Sequence, residues 1–360
     1  MSTAEQSPSS WQQKLQHWIK EFNWRSLTSG VGAFLLSLLI GSLFLSLNGY
    51  NPLVAFREIF TGAFGNKYAL AETLLKTTPL IFTGLSVAVA FQAGLFNIGA
   101  EGQLLMGALA TAMVGSFEIG MPAVVHVTLA LVAAALVGGL WGGIAGFIKQ
   151  RFGANEVIIT IMMNYIAFLL TSYMVNYPWK AAGMVPQTNP VVASAALPTL
   201  IRGSQLTAGL FIAIFVVIFV TILFRSTVFG YEMKAVGFNS QASATGGIHT
   251  ALMGALSMVL AGAVAGIGGG VEILGVHGRF IQGFSPGFGY DGVAVSVLVN
   301  SNPALVPISS VLFGILRAGG SYLERNTQIP GDFTTVIQGL VIFFVAAPRI
   351  FEAILKRRAK

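Results

Sequence analysis

The sequence contains no cysteine among its 360 residues and has little charge of either sign. Without cysteine the chain can form no disulfide, thiolate metal site or thiol nucleophile, and cysteine usage leaves the redox compartment open. Charged residues make up 9% of the chain, against roughly 25% in ordinary soluble domains. Hydrophobic residues make up 54%. Water is therefore not the solvent for most of this surface, and the composition predicts a membrane protein.

Several signatures of enzymes are also missing. No phosphate-binding loop of the form G-x-x-x-x-G-K-[ST] occurs, so we expect this chain to hydrolyse no ATP itself. His17, His126, His249 and His277 are scattered without metal-ligand spacing, and we expect no metal site. No Ser/His/Asp or paired-carboxylate arrangement stands out, which leaves catalysis without candidate residues.

Apolar runs of a length close to that of a membrane span recur along the whole chain. A bilayer leaves no water for backbone groups, so only helices or a closed barrel can span it. The runs are long and show no strand-like alternation, which favours helices. The sequence predicts an all-α, polytopic transmembrane helical bundle of about ten segments, with about eight as the competing count because the stretch after Asp291 is too short to span alone.

The basic residues predict the orientation of the bundle. Lys14, Lys20 and Arg25 precede the first apolar run, and the last residues of the chain are also basic, so both termini are predicted to be cytoplasmic. Residues 1–29 lack the features of a signal peptide and are interpreted as a cytoplasmic amphipathic segment. Residues 30–348 form the predicted permease domain and residues 349–360 the basic cytoplasmic tail. The external placement of Arg317 and Arg325 is the weak point of the ten-segment topology.

Glycines recur at every fourth position in two apolar runs. Small residues with this spacing predict close helix packing within one subunit, and hinges or a subunit interface are the alternatives. The two sets are Gly138, Gly142 and Gly146, and Gly262, Gly266 and Gly270.

Polar side chains inside apolar runs are costly in a bilayer and therefore mark candidate sites. Asn97 and Glu101 lie in a glycine-interrupted polar patch, typical either of a broken helix that lines a pathway or of helix capping. Asn155 and Glu156 favour a helix cap. Glu272 and Asp291 either line the external mouth or form internal hydrogen bonds. The predicted substrate pathway consists of Gln92, Asn97, Glu101, Gln103, Asn164, Asp291 and Ser296. These mostly uncharged groups suit a neutral, hydrogen-bonding, partly flat ligand.

Four stretches carry a resemblance to a known family. They are residues 84–88 (GLSVA) with 96–103 (FNIGAEGQ), residues 154–165, residues 235–239 (AVGFN), and residues 289–295 (GYDGVAV) followed by Asn302 and Pro303. From about residue 70 to 347 the chain resembles the permeases of bacterial ATP-binding cassette (ABC) importers of the branched-chain amino acid, ribose and nucleoside class. The form of residues 96–103 is most similar to the nucleoside and simple-sugar branch. Tyr290 departs from the phenylalanine common in relatives, and the basic N-terminal segment is not part of the family pattern.

The resemblance implies a transport subunit rather than an enzyme. Such a permease pairs with a second homologous permease, docks cytoplasmic ATPase subunits and receives cargo from an extracytoplasmic binding protein or lipoprotein. It implies a multi-pass protein of the bacterial inner or plasma membrane that binds no cofactor and no nucleic acid, while the partner subunit uses ATP. By likeness, the ATPase-coupling helix falls on Glu232, Met233, Lys234, Ala235, Val236, Gly237, Asn239 and Ala242. Independently, residues 225–250 form the longest interior hydrophilic insertion and carry Arg225 and Lys234, so they are predicted to be cytoplasmic.

The predicted function is nucleoside import by alternating access, powered by a partner ATPase. A ribose- or galactose-type sugar permease is the alternative within the same class. An ion-coupled secondary transporter is less consistent with the sequence, because it would need a central carboxylate pathway and usually two inverted halves, and no internal repeat is visible.

Overall fold

A computed structural model describes residues 24–118 and 120–346. This part of the chain folds into an all-helical bundle, as predicted. Its helices are α1 (Trp24–Leu47), α2 (Pro52–Phe64), α3 (Lys67–Gln92), α4 (Ala100–Gly115), α5 (Ala123–Phe152), α6 (Glu156–Asn176), α7 (Gly209–Ser226), α8 (Val228–Phe238), α9 (Ser240–Thr245), α10 (Thr250–Glu272), α11 (Phe288–Leu298), α12 (Val306–Asn326) and α13 (Asp332–Ala346). A π-helical turn, Ile273–His277, continues α10.

Six helical segments are long and apolar enough to cross a membrane, judged by length and composition over the described residues. They are α3, α5, α6, α7, α10 with its π-helical turn, and α12 with the preceding turn from Pro303. Shorter apolar helices occur at Leu35–Leu47 and Phe288–Leu298. Every apolar run predicted from the sequence corresponds to a helix, but α4 and α11 are short for a span. The count of ten segments therefore stays a prediction.

Helix α3 lies in the interior of the bundle. In the most apolar 18-residue stretch of α3, 83% is buried, whereas the corresponding share is 28% in both α5 and α6. Phe82 and Leu85 of this helix and Phe313 of α12 are fully buried in the core. Helices α5, α6 and α7 therefore present broad apolar faces outward to lipid or to another subunit.

The two glycine ridges pack helix α5 directly against α10. A Cβ atom built on Gly138 would lie 2.5 Å from the carbonyl oxygen of Gly262 and 2.8 Å from the Cα of Gly266. A Cβ on Gly142 would overlap the carbonyl oxygen of Met258. Close backbone approach of this kind is what small residues at every fourth position permit, so the packing interpretation of the two ridges is confirmed.

Helix α6 starts at an asparagine cap. The Oδ1 atom of Asn155 accepts hydrogen bonds from the backbone N–H of Val157 at 2.9 Å and of Ile158 at 3.4 Å. Glu156 follows and pairs with Lys149 at 2.7 Å, which joins the end of α5 to the start of α6. The capping interpretation of Asn155 is confirmed.

We expect Asn155→Ala to lower the stability of the protein by about 1 kcal/mol, because two N–H groups at the start of α6 lose their acceptor. Asn155→Ser keeps a capping oxygen and should unfold close to the wild-type midpoint. Thermal unfolding of the purified chain in detergent, followed by tryptophan fluorescence, measures both variants. Equal midpoints for the alanine and serine variants would contradict the assignment.

The two terminal segments predicted from the sequence are only marginally covered by the structure. The amphipathic segment 1–29 coincides with described residues only from Trp24, where α1 has already begun. The basic tail 349–360 lies outside the described residues. Both stay predictions.

Candidate functional site

The turn between α3 and α4 is held together by a pair of amide side chains. Asn97 is fully buried and donates from Nδ2 to Oε1 of Gln103 at 3.0 Å, while Nε2 of Gln103 donates back to Oδ1 of Asn97 at 3.2 Å. The same Oδ1 accepts the N–H of Gly99 at 2.9 Å, and Nδ2 also lies 3.3 Å from the hydroxyl oxygen of Ser86. These two predicted pathway residues therefore bond each other and fix the helix break.

Asn164 ties helix α6 to the start of α4. Its Oδ1 accepts the N–H of Gly102 at 2.8 Å, and its Nδ2 donates to the carbonyl oxygen of Ile98 at 2.9 Å. Nδ2 also lies 3.4 Å from the hydroxyl oxygen of Tyr290. Asn164 is 4% exposed, so its amide orients neighbouring groups and presents little surface of its own.

Glu101 caps a helix other than its own. The side chain is 7% exposed, and Oε2 accepts the backbone N–H of Gly289 at 2.6 Å. Gly289 is the second residue of α11, so the carboxylate meets the positive end of that helix. A Cβ on Gly289 would overlap the backbone of Glu101. Glycine at this position thus lets the starts of the two short helices α4 and α11 touch.

An ion pair joins the start of α11 to the middle of α12. Oδ2 of Asp291 accepts hydrogen bonds from Nε of Arg317 at 2.8 Å and from Nη2 at 2.7 Å, and the two side chains are 13% and 16% exposed. The guanidinium group also lies 4.8 Å from the centroid of the Phe288 ring. Arg317 therefore sits within α12 as the counter-charge of Asp291, which explains an arginine that fitted poorly in an external position. A carboxylate in an apolar run needs a partner of this kind. This general rule was the only sequence signal that could have pointed to the pair.

Five of the seven predicted pathway residues lie together, and the other two lie at a second location. Asn97, Glu101, Gln103, Asn164 and Asp291 form one polar cluster where α4, α6 and α11 meet. The contacts given above join the first four residues, and Asp291 lies two residues after Gly289, to which Glu101 is bound. At the second location, Nε2 of Gln92 donates to the carbonyl oxygen of Ser301 at 2.7 Å. The hydroxyl group of Ser296 donates to the hydroxyl oxygen of the same Ser301 at 3.2 Å.

This second location contains a cavity of about 430 Å³ beside α8. It lies between the end of α3, the end of α11 and the segment assigned to ATPase coupling. The lining residues are Phe91, Gln92, Lys234, Gly237, Phe238, Val297, Asn300 and Ser301.

The residues assigned to ATPase coupling form α8 and the start of α9. Thr227 caps α8 by accepting the N–H of Gly230 at 3.1 Å, and Asn239 caps α9 by accepting the N–H of Ala242 at 3.0 Å. Met233 is fully buried, so it anchors α8 to the bundle, while Phe238 is 90% exposed. The remaining members, Glu232, Lys234, Ala235, Val236 and Gly237, are partly buried.

Helix α8 touches the α3–α4 turn through backbone atoms. A Cβ on Gly237 would overlap the carbonyl oxygen of Gln92 and lie 2.9 Å from the backbone nitrogen of Gly94. Gly94 itself has a φ of +74°, a conformation that glycine adopts without strain. The coupling segment is therefore in direct contact with the turn that carries Asn97.

Lys234 is a partly desolvated cation on this helix. Its Nζ lies 5.9 Å from the centroid of the Phe224 ring. Burial, and after it the positive charge of Arg225, hold the pKa of Lys234 below its usual value. A positive charge in this position would attract an acidic group on a neighbouring surface.

Glu272 lies apart from both locations. It is 4% exposed, near the end of α10, with Oε2 at 3.8 Å from Nε2 of His277. Within residues 24–118 and 120–346, no three His, Asp or Glu side chains form a group that could hold a metal ion.

Comparison with known families gives one match that covers most of the chain. The family described as branched-chain amino acid transport system / permease component matches residues 69–346. This range begins within α3 and ends with α13, so it includes the polar cluster, the cavity and the coupling segment.

Individual relatives match nearly the whole length. The guanosine ABC transporter permease protein NupP of Bacillus subtilis is 35% identical over 91% of this chain and 95% of its own length. The nucleoside ABC transporter permease protein NupB of Lactococcus lactis is 34% identical over 90% and 92%. The glucose ABC transporter permease protein TsgB13 of Haloferax volcanii is 32% identical over 91% and 89%. The resemblance inferred from the four sequence stretches is confirmed.

Proposed function

Because the chain belongs to the permease family of branched-chain amino acid type transport systems, we propose that it is the permease subunit of an ABC importer that carries nucleosides into the cell. It is a multi-pass membrane protein with six candidate spans in its described part. The observation that carries the proposal is the match along about nine-tenths of the chain with permeases named for guanosine and nucleosides. The polar cluster supports it, because Asp291 is paired with Arg317 and Glu101 is bound to the N–H of Gly289, so neither carboxyl group is left as a free partner for an ionic cargo.

A sugar is the second candidate cargo. The relative from Haloferax volcanii named for glucose is 32% identical to this chain, only slightly less than the relatives named for nucleosides. A sugar offers hydroxyl groups and no flat ring system, whereas a nucleoside offers both. The two cargoes therefore differ in the part of the ligand that would contact aromatic side chains.

The proposed topology places both termini in the cytoplasm and includes about ten segments, of which α4 and α11 are partial spans. Lys149 and Arg151 at the end of α5, and Arg225 at the end of α7, lie at helix ends that this topology assigns to the cytoplasmic side. The coupling helices α8 and α9 follow α7 directly and thus face the same side. The membrane concerned is the bacterial inner or plasma membrane.

The proposed partners are a cytoplasmic ATPase, a second homologous permease and an extracytoplasmic binding protein or lipoprotein. The exposed side of α8 and α9, with Phe238 and Tyr231, provides apolar surface on which an ATPase can dock. ATP hydrolysis takes place in that partner, and this chain binds no cofactor. Closure of the ATPase would push α8 against the α3–α4 turn through the contact of Gly237 with Gly94.

The starts of α4 and α11 are the elements that would move in alternating access. Short helices that meet inside a bundle commonly line the substrate route of transporters, since their ends expose backbone groups. Here the contact between Glu101 and Gly289 joins the two helix starts, and the α3–α4 turn connects α4 to α8. A displacement of α8 can therefore reach both helices.

Uptake by intact cells of the source organism tests the function. We expect deletion of the gene to abolish most of the initial uptake of radiolabelled guanosine, and the full-length chain to restore it. Glucose uptake should be unchanged. Loss of glucose uptake with normal guanosine uptake would favour the sugar alternative.

Energy coupling requires a separate measurement. Uptake should stop when cellular ATP is depleted and persist when an ionophore collapses the ion gradients while ATP is maintained. The opposite pattern would overturn the ABC assignment in favour of an ion-coupled transporter.

A further inference from the structure

Two exposed tyrosines lie beside the polar cluster, about halfway along the height of the bundle. Tyr165 of α6 is 61% exposed and Tyr290 of α11 is 46% exposed. Asn164, the residue before Tyr165, has its Nδ2 atom 3.4 Å from the Tyr290 hydroxyl oxygen, so the two tyrosines lie on adjoining helices at the same level. Tyr165 lies nine residues after Glu156, the start of a 21-residue helix, which places it about 14 Å along the axis. Both phenol groups therefore lie near the middle of a proposed membrane span.

Lipid chains are a poor environment for this surface. Tyrosine favours the interfaces of a membrane, where its hydroxyl group meets water, and a hydroxyl group in hydrocarbon lacks hydrogen-bond partners. Helix α7 shows what an outward apolar face of this chain looks like: Phe215 and Ile218, near the middle of that helix, are 67% and 52% exposed. Met162 and Ile166, which lie beside Tyr165 on α6, are exposed as well, so it is the two phenol hydroxyl groups that favour a polar space at this surface.

The two carboxyl groups next to these tyrosines already have partners within the chain. Glu101 accepts the N–H of Gly289, and Asp291 binds Arg317. Asn164 uses its amide for Gly102 and Ile98 and places its Nδ2 beside the Tyr290 hydroxyl. A ligand that reaches this surface therefore meets two aromatic rings and two phenol hydroxyl groups.

We propose that Tyr165 and Tyr290 form a cargo-contact surface on the translocation pathway, which binds the planar heteroaromatic ring of a neutral ligand. Aromatic side chains stack on nucleobases with little dependence on base identity, and the phenol groups can exchange hydrogen bonds with ring nitrogens and carbonyl groups. The class of cargo rests on the proposed function, whereas the position of the pathway rests on the exposed tyrosines. Asn164 is a positioning residue for Tyr290.

Single-cysteine variants test the position of the pathway, and this chain contributes no native cysteine to the background. Tyr165→Cys and Tyr290→Cys are compared with Phe215→Cys in membranes that contain the whole transporter. We expect a charged, water-soluble methanethiosulfonate reagent to modify the first two roughly tenfold faster, because the thiolate forms only where water is present. Rates equal to that of Phe215→Cys would overturn the proposal.

Ligand protection tests the contact with cargo. During turnover with ATP and the partner proteins, saturating guanosine should slow modification of both cysteines by about threefold, because the ligand occupies the surface, while ribose should not. Rapid modification that guanosine leaves unchanged would overturn the cargo contact.

Transport by substituted chains tests the stacking itself. Tyr165→Leu and Tyr290→Leu should lower the maximal guanosine uptake roughly tenfold, as expected for loss of an aromatic stacking partner. The corresponding phenylalanine variants keep the ring and should lose less. Tyr173→Leu, an equally exposed tyrosine of the same helix, serves as the control and should transport normally. Equal uptake by the leucine and phenylalanine variants would refute stacking.

The failure of this proposal differs from failure of the proposed function. If the wild-type chain carries no guanosine, the nucleoside assignment is wrong, and the modification rates of the two cysteines still decide whether this surface lines an aqueous pathway. If guanosine uptake is normal and both cysteines react as slowly as Phe215→Cys, only the present proposal is wrong.

Discussion

Arg317→Met is expected to destabilise the protein by roughly 3–5 kcal/mol, the range observed when one partner of a buried ion pair is removed. Asp291 would remain in a site that is 13% exposed, without its counter-charge and without the two hydrogen bonds that it accepts from the guanidinium group. The start of α11 would lose its link to α12, and with it the position of Tyr290 and Gly289. We expect a lower amount of folded chain in the membrane and guanosine uptake reduced well beyond that loss.

A matched set of variants separates the ion pair from a general effect on α12. Arg325→Met removes the same charge at an exposed position in the last turn of that helix, and should keep wild-type stability and uptake. Asp291→Asn combined with Arg317→Met removes both charges and should recover most of the lost stability, since no unpaired charge remains. Thermal unfolding in detergent and uptake at saturating guanosine measure all three. A double variant as unstable as Arg317→Met would contradict the coupling.

The helices and their tight packing could be predicted because both leave local patterns in the sequence. Apolar runs of spanning length identify most of the bundle, and glycines at every fourth position identify the close contact of α5 with α10. The glycine-interrupted patch around Asn97 also marks the break between α3 and α4. In each case the residues that create the signal lie within one or two turns of each other.

The partners within the polar cluster could not be predicted, because they are far apart along the chain. Glu101 accepts from a backbone group 188 residues away, and Asn164 meets a tyrosine 126 residues away. No period or spacing encodes such pairs. The sequence predicted that Asp291 needed a role and left Arg317 unassigned, since the pairing depends on how α11 packs against α12. The exposure of Tyr165 could not be predicted for a similar reason, because it depends on which face of α6 packs against the rest of the bundle.

The seven predicted pathway residues were chosen by residue type alone, without knowledge of their positions in the fold. Polarity within apolar runs correctly drew attention to the meeting point of α4, α6 and α11. It did not distinguish side chains that bond each other, such as those of Asn97 and Gln103, from side chains that are accessible to a ligand. It also grouped Gln92 and Ser296 with them, although both lie beside the coupling segment. Their pathway roles stay predictions.

Gly237→Asp is expected to abolish ATP-driven uptake while the chain remains in the membrane. Any side chain at this position overlaps the carbonyl oxygen of Gln92, so α8 must move away from the α3–α4 turn, and a carboxylate adds repulsion against that oxygen. Gly246→Asp introduces the same charge just after α9, where the nearest atoms to a new Cβ are 3.4 Å and 3.5 Å away, and should transport normally. Co-purification should recover the ATPase with Gly246→Asp and lose it with Gly237→Asp. Because α8 lies outside the spans, the thermal midpoints should stay similar, and normal uptake by Gly237→Asp would show that this helix does not couple the ATPase to the bundle.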